Sequence, residues 1–431
     1  MTPAKTRVLA LGINYVPEQT GIAPYTASLM RGLVAHGCDV RVLTAHPHYP
    51  AWDIAPGYGS WTHDESLDGV KVRRLRHYVP RRPRGVWRMM SELSFGLRQA
   101  LTRWGDPDAI ISVSPALFAT MVCRLRARIT HPHTPFVVWV QDLYGMGLAE
   151  SQLTSRRLTD VVLGVERWVL RSADRVVVIH DRFAERLEAD FGIHPARIDV
   201  VRNWTHIDPP RNVDVAATRS ALKWPPDETI VLHAGSMGAK QGLEHVVEAA
   251  RLAAQRGDPV RFVLLGDGAV RQDLEERAAG LPTVTFMDLL DDDAFAAALA
   301  SADILLVNHK AGVSEMSVPS KLTSYFTASR PVIAAADADS VTACEVRAAG
   351  DGVVVPAEDP WALLHAALEI AASPKRARRM GKAGLAYVHA VLDEDHAIES
   401  FLGVLRRLQK APAKSPRTSA APARMEIKVT P

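Results

Sequence analysis

The sequence predicts an α/β chain of two domains, each built on a parallel sheet with helices on both faces. Short β-rich runs alternate with helical patterns along the 431 residues, and this alternation is typical of parallel sheets. It is interrupted once, at 207–226, where Pro209-Pro210 and Pro225-Pro226 stand close together. A chain of this length also exceeds one ordinary core and suits two domains of about 200 residues each.

The individual elements follow from the apolar pattern. A strand at 7–11 is followed by a helix at 25–36, with Leu29 and Leu33 on one face and Gly37 at its end. The first half is further expected to hold a helix at 158–170 and strands at 40–43, 109–113, 136–140, 176–179 and 198–201, the last four of them buried. The second half is expected to hold strands at 230–234, 261–265, 284–287, 304–307, 332–335 and 353–355, and helices at 243–255, 269–279, 361–372, 375–391 and 396–409.

These elements predict two Rossmann-like domains, at 1–207 and 208–410. A tail at 411–431 is rich in Ala, Pro, Ser, Lys and Arg and is expected to be disordered. Ligands of such sheets bind beyond the carboxyl ends of the strands. We therefore expect the functional site in the cleft where the two domains face each other.

Composition excludes several classes of protein. An apolar content of 47% with 23% charged residues is typical of a globular chain. No run of about 18 apolar residues exists to span a bilayer, and the apolar run at 8–11 is too short for a signal peptide. The cysteines Cys38, Cys123 and Cys344 are odd in number and far apart, so neither a disulfide framework nor a zinc site is expected. These features predict a cytoplasmic protein.

Basic residues are concentrated in one stretch of the first half: Lys71, Arg73, Arg74, Arg76, Arg81, Arg82, Arg84 and Arg88. An amphipathic apolar segment at 87–97 follows at once. The stretch is either an ordinary solvated face or a surface for phosphates or anionic lipid headgroups, with the helix lying on a membrane. No nucleic-acid-binding motif accompanies it.

Several motifs are missing from the sequence. No Gly-x-Gly-x-x-Gly, P-loop or Gly-x-Ser-x-Gly pattern follows a predicted strand, which argues against NAD or FAD, NTPase and α/β-hydrolase sites. Metal-ligand spacing is also missing, since Asp291-Asp292-Asp293 stands at a helix start, where acids favour the dipole. No metal or cofactor is expected.

Two strand-to-helix turns are candidates for binding a phosphate. Gly21 stands just before the first helix, where a small residue lets the backbone approach a ligand; a purely steric role is the alternative. The turn at 235–243 carries Gly235 and two more glycines beside Lys240 and is suited to a diphosphate, unless it is a flexible turn with a solvated lysine.

A loop and helix at 310–326 form the most informative stretch. The loop carries Glu315 among free backbone N–H groups, and Pro319 begins a helix that carries Lys321 and Ser324. One carboxylate with several N–H groups can recognise sugar hydroxyls and phosphate together.

In these segments the chain resembles the retaining glycosyltransferases of the GT-B fold, in the bacterial group that builds exopolysaccharide and O-antigen. The resemblance covers residues 6–410 and implies the GT-B fold, whose C-terminal helix returns to the N-terminal domain. The matching segments are 17–25, His46-Pro47-His48-Tyr49-Pro50, 139–143, Arg202-Asn203-Trp204, 235–243, Leu265-Gly266-Asp267-Gly268 and 318–334.

The resemblance implies roles for individual residues. Gly21 meets the donor phosphate and the reacting sugar, and Glu315 contacts the donor sugar. The family's basic pair on the diphosphate is replaced by Ser236 and Gln241, with Lys240 beside them as its substitute. The remaining donor-binding positions are Gly235, Ser314, Met316, Pro319, Lys321 and Ser324, the last replacing the family's ribose-binding glutamate.

The resemblance also implies the chemistry and the partners. The sugar is transferred with retention and without a metal, and the leaving phosphate helps to deprotonate the acceptor. Asp142 matches a cleft residue near the reacting centre, although capping a helix is its alternative role. His46 and His48 follow a strand and are candidates for acceptor contacts, or else are plain loop residues. A UDP-sugar rather than a GDP-sugar and a lipid-linked saccharide acceptor are the expected substrates. The basic stretch, independently of the resemblance, adds an anionic membrane surface as an expected partner.

Two other functions have the same two-domain shape. A sugar-nucleotide epimerase would need clustered carboxylates near the pyrophosphate, and no such cluster is evident in the sequence. A catalytically inactive scaffold in a polysaccharide assembly complex would explain why Ser324 replaces the glutamate. Turnover of the donor distinguishes the scaffold from an enzyme.

Overall fold

The first domain is built on an eight-stranded sheet with the order β3-β4-β2-β1-β5-β6-β7-β8. The structure is a computed structural model that describes residues 5–18, 21–81, 85–143, 156–205, 213–312 and 320–410. The strands are β1 (Arg7–Leu11), β2 (Asp39–Ala45), β3 (Thr62–Leu67), β4 (Val70–Leu75), β5 (Ala109–Ser114), β6 (Phe136–Val140), β7 (Arg175–Val178) and β8 (Ile198–Val200). Only β3 runs antiparallel to its neighbour, and the other described pairs are parallel.

The helices described in the first domain connect these parallel strands. They are α1 (Ala23–Ala35), α2 (Val86–Leu101), α3 (Leu117–Thr130), α4 (Arg156–Ser172) and α5 (Asp181–Ala189). Leu29 and Leu33 of α1 are fully buried, as their spacing predicts.

The second domain repeats the design on an all-parallel sheet, with the order β11-β10-β9-β12-β13-β14. This strand order reverses direction beside β9, as in doubly wound nucleotide-binding domains. The strands are β9 (Thr229–Ala234), β10 (Val260–Leu265), β11 (Val284–Met287), β12 (Ile304–Asn308), β13 (Val332–Ala335) and β14 (Gly352–Val355). The helices are α6 (Val215–Ala221), α7 (Leu243–Arg256), α8 (Arg271–Arg277), α9 (Asp292–Ser301), α10 (Ser320–Thr327), α11 (Val341–Ala349), α12 (Pro360–Ala371), α13 (Pro374–Val391) and α14 (Glu394–Lys410).

Each sheet is buried on both faces. In β1, Leu9 and Leu11 join one apolar cluster, whereas Val8 and Ala10 join the cluster on the opposite face. The second sheet divides its core in the same way. Helices therefore cover both faces of each sheet, and the predicted pair of Rossmann-like domains is confirmed.

The last helix returns to the first domain. Ile398 and Phe401 of α14 pack with Leu29 and Leu33 of α1. A β-carbon added to Gly32 would lie 2.3 Å from the Ile398 side chain, so a glycine is needed where the two helices meet. The expected C-terminal crossover is confirmed.

The structure corrects the expectation for the strand at 198–201. Only Val201 is buried there, since Ile198 and Asp199 are half-buried and Val200 is 37% exposed. The reason is that β8 forms the free edge of the sheet, so one of its sides lacks a neighbouring strand.

The basic stretch is also organised differently from the proposed surface for anions. Lys71 and Arg73 lie on the hairpin of β3 and β4, which the sequence pattern did not reveal, and pair with Asp39 at 2.7 Å and Asp64 at 2.6 Å. The Arg74 side chain is fully buried against Glu65. All three cations are paired with carboxylates on this sheet, and of the three only Arg74 is inaccessible from the surface.

Part of the interruption at 207–226 is structured. Helix α6 lies inside it, and Arg219 of that helix pairs with Asp303 at 2.6 Å. Residues 206–212 and the predicted tail at 411–431 lie outside the described residues, so the domain boundary at 207/208 stays a prediction. None of the described helices is both long and apolar enough to cross a membrane.

Candidate active site

A buried glutamate joins the two loops on the first domain's side of the cleft. Glu18 follows β1, and its Oε1 accepts hydrogen bonds from the backbone N–H groups of His48 and Tyr49, each at 2.9 Å. Its Oε2 accepts from Asn14 Nδ2 at 2.9 Å. The loop after β1 and the loop after β2 are thus held as one unit. Sequence reasoning missed Glu18, although it lies inside a segment, 17–25, that carries the resemblance.

Gly21 occupies the end of this loop, just before α1. Its φ of 67° lies in the left-handed region, which glycine adopts without strain. An added β-carbon would lie 3.7 Å from the Tyr49 ring. Four residues later, the Tyr25 side chain forms a hydrogen bond with Thr323 of the second domain. Burial raises the pKa of Tyr25 to about 12, and this hydrogen bond partly offsets the rise. The glycine turn is therefore close to helix α10.

His46 and His48 are buried within the loop after β2. His46 is 1% exposed, and its Nε2 lies 2.8 Å from the carbonyl oxygen of Ser60. His48 is 4% exposed, with its Nδ1 2.9 Å from the carbonyl oxygen of His46. Burial lowers the pKa of His46. Both rings support the shape of the loop, and their contact with an acceptor stays a prediction.

Asp142 lies at the carboxyl end of β6 and interacts electrostatically with cations of both domains. Burial raises the pKa of its carboxyl group to about 7, and the Arg88 and Lys240 cations oppose that rise. Arg88 belongs to the first domain and Lys240 to the second. The adjacent Gln141 accepts a hydrogen bond from Asn203 Nδ2 at 2.9 Å. Asp142 therefore lies between the two domains, and its role near a reacting centre stays a prediction.

The turn after β9 is fixed by hydrogen bonds from β12. Asn308 Nδ2 donates to the carbonyl oxygens of Gln241 and Gly242 at 2.7 and 3.0 Å. The backbone N–H of Lys310 donates to the carbonyl oxygen of Lys240 at 3.0 Å. The position of the exposed Lys240 is thus set by the neighbouring strand. This arrangement argues against the alternative of a flexible turn.

Lys321 lies beneath this turn, on the first turn of α10. A β-carbon added to Gly235 would lie 3.7 Å from Lys321 Nζ, and that Nζ lies 3.4 Å from Nε2 of His233. Burial lowers the pKa of Lys321 to about 8. His233, which sequence reasoning did not single out, is fully buried, and burial holds its pKa well below the usual range.

The loop after β10 packs closely against the turn after β9, and glycines make this approach possible. Met237 N donates to the carbonyl oxygen of Asp267 at 2.8 Å. β-carbons added to Gly266 and Gly268 would lie 2.0 and 2.4 Å from the carbonyl oxygens of Gly235 and Met237. Any side chain at these two positions would push the turn out of place.

Only part of the 310–326 stretch lies within the described residues. Ser314, Glu315, Met316 and Pro319 lie outside the described residues. Ser324 is half-buried on α10, on the same helix as Lys321. No group of three or more His, Cys, Asp or Glu side chains suited to a metal ion occurs within the described ranges.

Comparison with known proteins identifies the family. A model of the glycosyl transferase 4-like domain matches residues 20–204, and a model of the glycosyl transferases group 1 matches residues 228–373. The chain is 32% identical over 418 residues to WcaI of Escherichia coli (strain K12), which its name assigns to colanic acid biosynthesis as a glycosyl transferase; the match covers 93% of this chain and 100% of WcaI. The chain belongs to the GT-B glycosyltransferases.

Solved structures share the fold at low sequence identity. WaaG, a glycosyltransferase involved in lipopolysaccharide biosynthesis, superposes with a TM-score of 0.65 at 15% identity, covering 92% of this chain and 99% of WaaG. HepE of Anabaena in complex with UDP-glucose superposes with a TM-score of 0.66 at 14% identity, covering 93% of this chain and 99% of HepE. These two likenesses concern the fold alone.

Proposed function

We propose that this glycosyltransferase moves a sugar, with retention of anomeric configuration, from a nucleotide-sugar donor to a lipid-linked saccharide. The product would be part of a cell-surface polysaccharide. The observation that carries the proposal is the half-buried Lys321 under the Gly235 turn, 3.4 Å from His233. A cation held at the carboxyl edge of a doubly wound sheet suits the diphosphate of a nucleotide sugar.

The residues of the cleft divide the work of transfer. Lys321, Lys240 and the N–H groups of the turn after β9 would neutralise the leaving diphosphate. The loops joined by Glu18 would hold the reacting sugar against Gly21. Asp142 faces the same space with a pKa near neutrality and would orient the acceptor hydroxyl. Catalysis would then depend mostly on positioning and on charge stabilisation.

The donor and the pathway are proposed from relatives. HepE, whose fold this chain shares, was solved in complex with UDP-glucose, and the donor that we propose is accordingly a UDP-sugar. WcaI is assigned to colanic acid and WaaG to lipopolysaccharide, which supports cell-surface polysaccharide as the product. We propose that transfer takes place at the cytoplasmic face of the membrane.

Attachment to the membrane is proposed through helix α2 rather than through the whole basic stretch. Trp87, Met90, Leu97 and Leu101 of this helix are 47% to 81% exposed. Arg76, Arg81 and Arg103 are exposed around it. An apolar helix face bordered by cations suits an anionic bilayer surface.

A nucleotide screen tests the proposed function. UDP is expected to raise the melting temperature more than GDP, ADP or dTDP, since a ligand at 100 times its dissociation constant stabilises by about 2.7 kcal/mol. Transfer from UDP-sugars to a lipid-linked saccharide is then measured. Binding without any transfer would identify the inactive scaffold, and epimerised UDP-sugar would identify the epimerase. A protein that none of these nucleotides stabilises would contradict the proposal.

A further inference from the structure

A second pocket lies at the amino edge of the second sheet, away from the cleft. It encloses about 320 Å³ and opens between the starts of β9, β12 and β13 and the first turns of α13. Strands β9 and β12 are six and five residues long, so they hold the pocket roughly 15–20 Å from the carboxyl edge. The charged residues that line it are Arg219, Asp227, Glu228, Asp303, Arg330 and Arg378.

Two of the carboxylates in the pocket are already neutralised. Asp303 pairs with Arg219 at 2.6 Å and also accepts from the backbone N–H of Ile230 at 2.8 Å. Glu228 forms a two-bond ion pair with Arg261, at 2.6 and 3.1 Å. The charges left over are therefore those of Asp227, Arg330 and Arg378.

Arg330 is the unusual member of this set. It is half-buried, and burial lowers its pKa while the Asp303 charge opposes that change. Within the described residues Asp303 instead pairs with Arg219 at 2.6 Å, and no hydrogen bond or ion pair of the Arg330 guanidinium occurs there. A desolvated guanidinium without an acceptor is costly. A bound anion would supply the missing acceptor.

The backbone around Arg330 is held in a strained conformation. Ser329 has a φ of 55°, a left-handed value that costs free energy in a residue other than glycine. Helix α13 presses on it, because a β-carbon added to Gly381 would lie 2.1 Å from the carbonyl oxygen of Ser329. The same helix begins at the pocket, with no acidic residue in its first turn and no capping side chain. Its exposed N–H groups add positive potential.

We propose that this pocket binds a small phosphorylated molecule, with the phosphate between Arg330 and Arg378. Guanidinium groups bind phosphate through paired N–H donors, and about 320 Å³ suits a ligand the size of a sugar monophosphate. The exposed carboxylate of Asp227 would accept hydrogen bonds from sugar hydroxyls. This site is separate from the cleft, so it does not depend on the proposed sugar transfer.

Calorimetric titration of the full chain tests the site, with inorganic phosphate and ribose 5-phosphate as probes and ribose as the uncharged comparison. Arg330→Ala is expected to weaken binding of both phosphates at least tenfold, and Arg378→Ala at least threefold. Arg379→Ala is the matched control, because Arg379 is an exposed neighbour on α13 that does not line the pocket. Arg379→Ala should bind both phosphates with the affinity of the original protein. Lys321→Ala should do the same, because Lys321 lies in the cleft and not in this pocket.

The outcomes separate cleanly. Loss of binding in Arg330→Ala but not in Arg379→Ala supports the pocket. Wild-type affinity in both Arg330→Ala and Arg378→Ala overturns it, as does the absence of saturable phosphate binding. If Arg330→Ala does not fold, Arg378→Ala decides alone. Loss of binding only in Lys321→Ala would assign the phosphate to the cleft and also overturn the proposal.

Discussion

The Nζ of Lys321 and the Nε2 of His233 lie 3.4 Å apart at the base of the cleft. Burial lowers the pKa of both groups, that of Lys321 to about 8. His233 is therefore neutral near pH 7 and can accept a hydrogen bond from the ammonium of Lys321. The nearby His309 is neutral as well, since burial and the Lys321 charge lower its pKa to about 4. Of the three basic groups Lys321, His233 and His309, only Lys321 therefore carries a positive charge near pH 7.

Binding of the donor nucleotide is expected to weaken as the pH rises through 8. Lys321 loses its proton there in the free protein, and only the protonated form attracts a diphosphate. The dissociation constant of UDP, measured by calorimetry between pH 7 and 9, should rise by up to tenfold per pH unit above 8. Lys321→Ala should bind UDP at least tenfold more weakly and lack this dependence. The exposed Lys375→Ala is the control, and a flat profile in the original protein would contradict the assignment.

Asp142 is expected to set an ascending limb in the pH profile of transfer. Its folded-state pKa of about 7 lies above the ordinary value, so its carboxylate forms only as the pH rises through 7. We expect kcat/KM to rise with pH up to this point. Asp142→Asn should lower kcat/KM roughly 100-fold and remove the limb. Asp190→Asn is the control, because Asp190 is a surface carboxylate that pairs with Arg186. This variant should keep both the original kcat/KM and the ascending limb. A limb that persists in Asp142→Asn would assign it to another group.

Glu315 is expected to matter more for transfer than Ser324. A carboxylate on sugar hydroxyls contributes charge-assisted hydrogen bonds, so Glu315→Ala should lose about 1.5–3 kcal/mol, or roughly ten- to a hundredfold in kcat/KM. Ser324→Ala removes one neutral bond worth about 0.5–1.5 kcal/mol. Lys321→Ala should resemble Glu315→Ala. Steady-state transfer is measured on variants with unchanged melting temperature. A severe loss in Ser324→Ala beside a near-normal Glu315→Ala would refute this assignment.

Transfer is expected to continue in EDTA. The acidic run at 291–293 begins α9, where the Asp291 side chain accepts from the N–H of Ala294 at 2.8 Å, so this carboxylate caps a helix. The diphosphate charge would be met by lysines and N–H groups instead. Transfer rates are compared with and without EDTA, then after addition of magnesium or manganese. Activity that EDTA abolishes and either metal restores would show that a metal is required.

Anionic liposomes are expected to bind the protein at low salt and release it at high salt. The exposed apolar residues of α2 would enter the interface, and each nearby cation contributes about 1 kcal/mol. Trp87→Ser with Leu101→Ser should reduce flotation, because both side chains are more than half exposed. Trp361→Ser is the control, since this exposed tryptophan lies in the second domain. The proposal fails if no binding occurs at low salt.

Much of the fold could be predicted because local pattern determined it. The alternation of apolar runs located the strands of both parallel sheets, and Leu29 with Leu33 showed the buried face of α1. The hairpin of β3 and β4 was missed because its exposed faces carry charges such as Asp64 and Arg73, which read locally as a solvated stretch. The partly exposed β8 was misread as buried for a related reason. Whether a strand has a neighbour on each side depends on the order of the sheet.

Pattern alone located some of the turns that border the cleft, since turns that follow parallel strands gather at one edge of a sheet. Gly21 and Lys240 were located in this way, whereas Asp142 was indicated by the family resemblance. The chemistry of these residues depends on contacts that form only in the folded protein. Glu18 bonds to His48 from 30 positions away, and the lowered pKa of Lys321 comes from burial beneath the Gly235 turn. Desolvation and hydrogen bonding depend on residues that are distant in the chain, and the amino-acid pattern does not state which distant residues come into contact.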